Sequence, residues 1–258
     1  MENSMEDFNI TELKEFFDKY TEFKKTLISD YEQKLDLFFN KFSYRKKLFQ
    51  DFQEEVNRKI SSDFNVFDLI DINELSLSNI IALLLDTKGS HGQGRVFLEV
   101  FIDCFVKQMQ TDQLNKDFKV YTEYAANGNR RIDILLKSSD FAVIIENKPY
   151  TYDQQDQITD YISYMEDSHI PNYRGKLLTI YLNKNEDMPK NFSDASKIKS
   201  LNDKQKNGEF IIVSYDVFAK TFLQQCYEKC ESTRFRYFIA DFIEFIEKNP
   251  SFINNGEH

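Results

Sequence analysis

The first 88 residues contain neither glycine nor proline: all seven glycines lie at or after Gly89 and all four prolines at or after Pro149. With no residue there to break a helix, long helices are the default. Leu13, Phe16, Tyr20, Phe23, Leu27, Tyr31, Leu35, Phe38 and Phe42 recur at steps of three or four and draw one apolar stripe. Such a stripe must pack on something. Residues 8–60 therefore read as a helical arm, and the chain divides into an arm at 1–62 and a second domain at 63–258. The arm is either one helix or a hairpin broken near Asn40 to Tyr44, where the usual Gly or Pro is missing. A packing or dimerisation role suits it better than chemistry. Residues 1–60 carry 13 acidic and 11 basic side chains, which favours a second copy or another protein over DNA as the arm's partner.

The whole chain sets 33 Lys and Arg against 43 Asp and Glu, a formal charge of -10, which excludes a basic nucleic-acid coat. Hydrophobic residues at 41% supply a core and exclude wholesale disorder. Cys104, Cys226 and Cys230 are an odd number without a C-x-x-C pair, so neither a disulfide framework nor a zinc knuckle fits. They read as core or surface thiols in a reducing cytoplasm. The acidic opening has no signal-peptide pattern, and no apolar run is long enough to span a membrane.

From Phe64 the texture changes. Asn73 is placed to cap a helix through Asp86, the loop GSHGQG follows at 89–94, and Val96 to Met109 resumes helical spacing. KVYTEY (119–124), RRIDILL (130–136) and AVIIENK (142–148) are short, rich in β-branched or aromatic residues, and separated by turn-prone NGN and KSSD. They predict an antiparallel meander. A helix from about Asp153 to Glu166 then leads to the strand KLLTIYLN (176–183), an order that implies a crossover connection. EFIIVS (209–214) predicts another strand, and amphipathic helices at Tyr215–Cys230 and Thr233–Lys248 close the domain. Phe235, Phe238, Phe242 and Phe245 form a core stripe on the last of these.

Alternation in AVIIENK puts Glu146 and Lys148 on one face, two charges at the end of an apolar strand. Asp133 lies on the preceding strand, on the face opposite Ile132 and Ile134, and a hairpin can bring it beside Glu146. Two carboxylates, the backbone carbonyl of Asn147 and water make an all-oxygen shell that suits Mg²⁺ or Mn²⁺ rather than zinc. A surface ion pair is the plain alternative for so short a pattern. Thr151 and Gln154 have the spacing of a capping box, which starts a helix just past this strand and directs its positive end here. Gln154, Gln157 and Tyr161 share that helix's face and offer hydrogen-bonding groups to a phosphate, although a solvated polar stripe would look the same.

These residues resemble the PD-(D/E)xK nuclease superfamily, and Gln157-Ile-Thr-Asp-Tyr161 looks like the Q-x-x-x-Y motif of its RecB-like branch. The stretch from Phe64 to Phe101 is similar to the amino-terminal half of a bacterial family of that superfamily, so the resemblance covers about residues 64–183. It departs from the motif at Ile132, where a Pro would precede the Asp. The resemblance implies a mixed α/β fold with a restriction-endonuclease-like αβββαβ core, a mixed sheet flanked by helices, behind the helical arm. It implies a Mg²⁺- or Mn²⁺-dependent nuclease leaving 5′-phosphates, with DNA as substrate and restriction, repair or defence against foreign DNA as its setting. Asp133 and Glu146 would bind the metal, and Lys148 would contact the attacking water or the phosphate. A Glu or His from an upstream helix often joins such a site; Glu74, Glu99 and His91 are the candidates, Glu74 first. The glycine-rich loop could cradle phosphate, or His91 could simply be a polar loop residue.

Between Arg174 and Lys206 eight basic residues face four acidic ones, so Lys176, Lys184 and Lys190, with Gln154, are candidates for holding a nucleic-acid backbone, against the alternative of a solvated loop. Two other readings stay open: a catalytically silent nuclease fold serving assembly through its arm, and a nuclease acting on RNA.

Overall fold

The glycine-free stretch folds as helix α1, Ile10–Ile60, an unbroken run of 51 residues in which no side chain is buried. At about 1.5 Å per residue it is roughly 77 Å long. There is no hairpin near Asn40, because nothing there competes with continuing the helix. The computed structural model describes residues 10–61, 64–106, 117–150, 153–169, 171–249 and 252. The chain forms two units, Met1–Phe64 and Asn65–His258.

In the second unit a 3₁₀ turn at Val66–Leu69 leads to α2, Glu74–Leu85. Asn73 caps α2 by accepting from the Ser76 N–H at 2.9 Å, which satisfies one of the donors a helix start leaves open. Helix α3, Val96–Phe101, continues as a π-helical turn through Val106; residues 107–109, assigned to the same helix from the sequence, lie outside the described residues. Five strands follow: β1 Lys119–Ala125, β2 Arg131–Lys137, β3 Ala142–Lys148, β4 Leu177–Asn183 and β5 Phe210–Ser214. Their spatial order is their chain order, with β1, β2 and β3 antiparallel and β3, β4 and β5 parallel. The two parallel pairs need crossovers, supplied by α4, Gln157–Ser163, and α5, Ala195–Lys206. The chain ends in α6 (Tyr215–Val217), a π-helical stretch, α7 (Gln224–Lys229) and α8 (Thr233–Lys248).

Both faces of the sheet are covered, which is why β3 and β4 are buried along their whole length. On one face Ile134, Leu136, Val143, Ile145, Leu178 and Ile180 pack with α2, α3 and α8; Phe242 of α8 belongs to this layer, as do Cys226 and Cys230. On the other, Ile132, Leu135, Ile144 and Phe210 pack with Ile158, Tyr161 and Leu201 of α4 and α5.

Three expectations need correcting. Ile132 and Ile134 belong to opposite layers, not to one face, because regular alternation fails between them. Helix α4 begins at Gln157 rather than near Asp153, with Asp156 at its start in a left-handed conformation; Thr151 lies outside the described residues. The basic stretch is not the solvated loop of the alternative reading, since it contains α5, capped by Asp194.

Candidate active site

The sheet brings β2 and β3 together in register from Lys137–Ala142 to Ile134–Ile145, and registered pairing stops there, one residue short of Asp133 and Glu146. Beyond that point Asp133 Oδ2 accepts the backbone N–H of Asn147 at 2.8 Å. Lys148 Nζ stands 2.8 Å from Glu146 Oε1, 2.7 Å from Glu74 Oε1 and 4.0 Å from Asp133 Oδ2. Three carboxylates therefore surround one ammonium, with Glu74 contributed by the first turn of α2.

Glu146 is completely buried, and neither of its oxygens has a hydrogen-bond partner. Its Oε1 forms a close ion pair with Lys148. Burial, then the neighbouring Asp133 charge, holds the Glu146 carboxyl well above the usual carboxylate range. Burial likewise pushes Asp133 up to about 6 against the pull of Lys148. For Lys148, burial favours the neutral amine, but Glu146 and Asp133 outweigh it and keep the group an ammonium beyond its ordinary range.

The side chain of Asn147 does work the sequence did not advertise. It faces the other layer, where its amide donates to Ser78 Oγ at 3.0 Å and to the Glu74 carbonyl at 3.2 Å, while its oxygen accepts from the Tyr215 hydroxyl. The first turn of α2, and with it Glu74, is thereby tied to β3. The available signal was a polar side chain on the face of Val143 and Ile145, since a buried amide needs partners. Ser78 and Tyr215 gave no signal.

Gln157 and Tyr161, one helical turn apart, are bonded to each other: Gln157 Nε2 donates to the Tyr161 hydroxyl at 2.9 Å, and that hydroxyl donates to the Arg131 carbonyl, two residues from Asp133. Gln154 lies before the helix and exposed, not on its face, and its backbone N–H donates to Gln157 Oε1 at 3.3 Å.

His91 is buried with both ring nitrogens engaged: Nδ1 accepts the Gln93 N–H at 2.9 Å, so Nε2 carries the proton and donates to the Asp86 carbonyl at 2.8 Å. Flanked by Phe97 and Phe235, the ring pins the glycine-rich loop and has no lone pair left for a metal. Gly89 is required there, because a Cβ would come within 2.9 Å of the Asp86 carbonyl oxygen. Glu99 is exposed and pairs with Arg95 at 3.5 Å.

Beside Lys148 opens a cleft of about 500 Å³, lined by Tyr150, Tyr181, Asn183, Lys184, Lys190 and Asn191, among others. Lys184 and Lys190 thus share this cleft with Lys148, and Lys190 pairs with Asp187 at 3.3 Å. Lys176 does not, since it precedes β4 at the opposite end of the sheet from Glu146 and Lys148. Much of the remaining basic stretch is neutralised locally, Lys197 by Asp156 at 2.9 Å and Lys204 by Glu166 at 2.6 Å.

Among the described residues no three His, Cys, Asp or Glu side chains converge as a metal cage. The donor set still fits Mg²⁺ or Mn²⁺, which are held by one or two carboxylates and complete their shells with water and phosphate oxygens. The buried Oε2 of Glu146, which has no hydrogen-bond partner, is the particular observation that supports the fit.

A mixed sheet between two helical layers, with this cluster at the ends of β2 and β3, is a restriction-endonuclease-like α/β fold. The model of the PD-(D/E)XK nuclease superfamily matches residues 64–244, and the chain belongs to that superfamily. No curated protein and no solved structure matches the chain.

Proposed function

We propose that this protein is a Mg²⁺- or Mn²⁺-dependent nuclease that hydrolyses phosphodiester bonds of DNA, in restriction, repair or defence. One observation carries the reading: Glu146, wholly buried, sits in ion-pair contact with Lys148 and beside the second carboxylate Asp133. A chain does not bury a carboxylate in this way for stability, because the desolvation cost exceeds what one ammonium returns.

Asp133 and Glu146, with the Asn147 carbonyl, would hold the cation, which supplies polarisation of the phosphate and activation of water. Lys148 remains charged between carboxylates, so it is not the base that takes the water's proton. Its part is to position the water and to offset charge developing on the phosphate. Glu74 fixes the ammonium from the α2 side at 2.7 Å. Gln157 and Tyr161 brace β2 beside Asp133, and Lys184 and Lys190 offer cations to the nucleic-acid backbone along the cleft.

Incubating the purified protein with circular and linear DNA, and with RNA, in the presence and absence of Mg²⁺ or Mn²⁺ tests this directly. Metal-dependent cleavage of DNA is the expected result; no cleavage of any substrate would favour a silent fold that acts through its arm. That arm, whose apolar stripe is exposed along α1, suits a second copy or another protein. The three free thiols suit a cytoplasmic setting. No described helix is long and apolar enough to cross a membrane.

A further inference from the structure

Strand β1 breaks its own regularity beside the site. Thr122 registers with Ile134 and Tyr124 with Ile132, which leaves Glu123 across from Asp133 between the two pairs. The Glu123 backbone is left-handed, with φ +51°. Inside a strand this conformation is rare for any residue with a Cβ; Gly or Asn would adopt it more readily. The kink turns Tyr121 and Tyr124, three residues apart, onto one side with ring centroids 5.4 Å apart, and it coincides with the switch of Ile132 and Ile134 to opposite layers.

A strained strand position filled by a residue poorly suited to the strain calls for a role for the side chain. The Glu123 side chain is half-buried, and its strand position lies across from Asp133. Independently, Oε2 of the wholly buried Glu146 has no hydrogen-bond partner while Oε1 pairs with Lys148, which leaves one buried carboxylate oxygen open to a cationic ligand.

We propose that Glu123 is a positioning carboxylate of the catalytic centre, acting through the waters of a divalent cation held by Asp133 and Glu146. An outer role is the one that fits, since Glu123 stands on β1, beside Asp133 of β2 and a strand further from Glu146 of β3. Outer carboxylates orient bound water and raise cation affinity by accepting hydrogen bonds from it. The inference rests on the metal-dependent reading of the site.

Calorimetric titration of the full-length protein with Mn²⁺ tests it, using Glu123→Gln, Glu123→Asp and Glu123→Gly, with metal-free melting temperature as a second readout. Glu123→Gln keeps size and shape and loses the charge, so it should bind Mn²⁺ about tenfold more weakly at an unchanged metal-free melting temperature. Glu123→Asp should lose less. Glu123→Gly should lose as much as Gln while melting no lower, because it removes the carboxylate and relieves the backbone together. Wild-type affinity in Glu123→Gln would overturn the proposal, and so would weakening accompanied by a fall in its metal-free melting temperature, which would make the residue structural. Failure of the unaltered protein to bind Mn²⁺ would instead remove the metal-dependent reading, and this inference with it.

Discussion

The backbone N–H of Asn147 donates to Asp133 Oδ2 at 2.8 Å, joining β2 to β3 just past the last registered pair of the hairpin. The bond fixes Asp133 with main-chain precision, while the residues on either side of Asn147, Glu146 and Lys148, turn to the opposite side from its own side chain. One strand end thus serves as a carboxylate, a clamp and an ammonium in succession.

Glu146→Gln keeps the shape of the side chain and removes its charge. Cleavage should fall below about one per cent of the wild-type rate, because a ligand position is lost. The metal-free protein should melt higher, since burial and the neighbouring Asp133 charge both penalise the Glu146 carboxylate. Cleavage assays and melting curves in chelator check the two halves separately, and cleavage at the wild-type rate would sink the assignment of the site.

Asp133 gives the metal-free protein a definite pH dependence. Its carboxyl titrates at about 6 in the fold against 3.8 ordinarily, so between those values the folded chain keeps a proton that the unfolded chain has released. The benefit of the protonated form is complete below pH 3.8 and is lost as pH rises through about 6. A shift of this size corresponds to roughly 3 kcal/mol. Asp133→Asn should therefore stabilise the metal-free protein by about 1–3 kcal/mol at pH 8, with the advantage disappearing toward pH 4. Urea unfolding with chelator at both pH values measures it; an advantage that grew as pH fell would reverse the sign and refute the account.

Asn147→Leu should destabilise by about 2–4 kcal/mol, as it leaves Ser78 Oγ, the Glu74 carbonyl and the Tyr215 hydroxyl without their buried partner. Chemical unfolding gives the magnitude. Double variants with Tyr215→Phe should be less than additive, because the two residues share one bond.

The carboxylates and the ammonium were legible because a strand has a period of two, so D on one strand and E-x-K on the next specify faces without knowledge of the rest of the chain. The Asn147 clamp was not, since its partners Ser78 and Tyr215 stand 69 and 68 positions away in sequence. Helix α5 was hidden for another reason. It buries only Leu201 and is attached through the ion pairs of Lys197 and Lys204, so it carries no apolar stripe to read. The kink at Glu123 broke the alternation that placed Ile132 and Ile134 together, and no Gly marks it. The arm was legible in outline from missing breakers alone.

Gln157→Ala should reduce cleavage while Mn²⁺ binding persists, because Gln157 bonds to Tyr161 and not to Asp133 or Glu146. Tyr161→Phe removes the hydroxyl that braces the Arg131 carbonyl, and should cost about 1–2 kcal/mol of stability with a smaller loss of cleavage. Calorimetry alongside the assay decides this. Loss of Mn²⁺ binding in Gln157→Ala would place the residue at the cation instead.

Helix α1 leaves Phe16, Phe23, Phe38, Phe42 and Phe52 each more than half exposed along one chain of apolar positions. An amphipathic helix of this length depends on packing its apolar face, and large exposed apolar patches mark interaction sites. Self-association through α1 is the expected outcome, so full-length protein should scatter light as a dimer or larger species and a chain lacking residues 1–60 as a monomer. A monomeric full-length protein, or a truncated chain that still dimerises, would refute α1 as the contact. Cleavage by the truncated chain should persist, because Glu74, Asp133, Glu146 and Lys148 all belong to the unit from Asn65 onward.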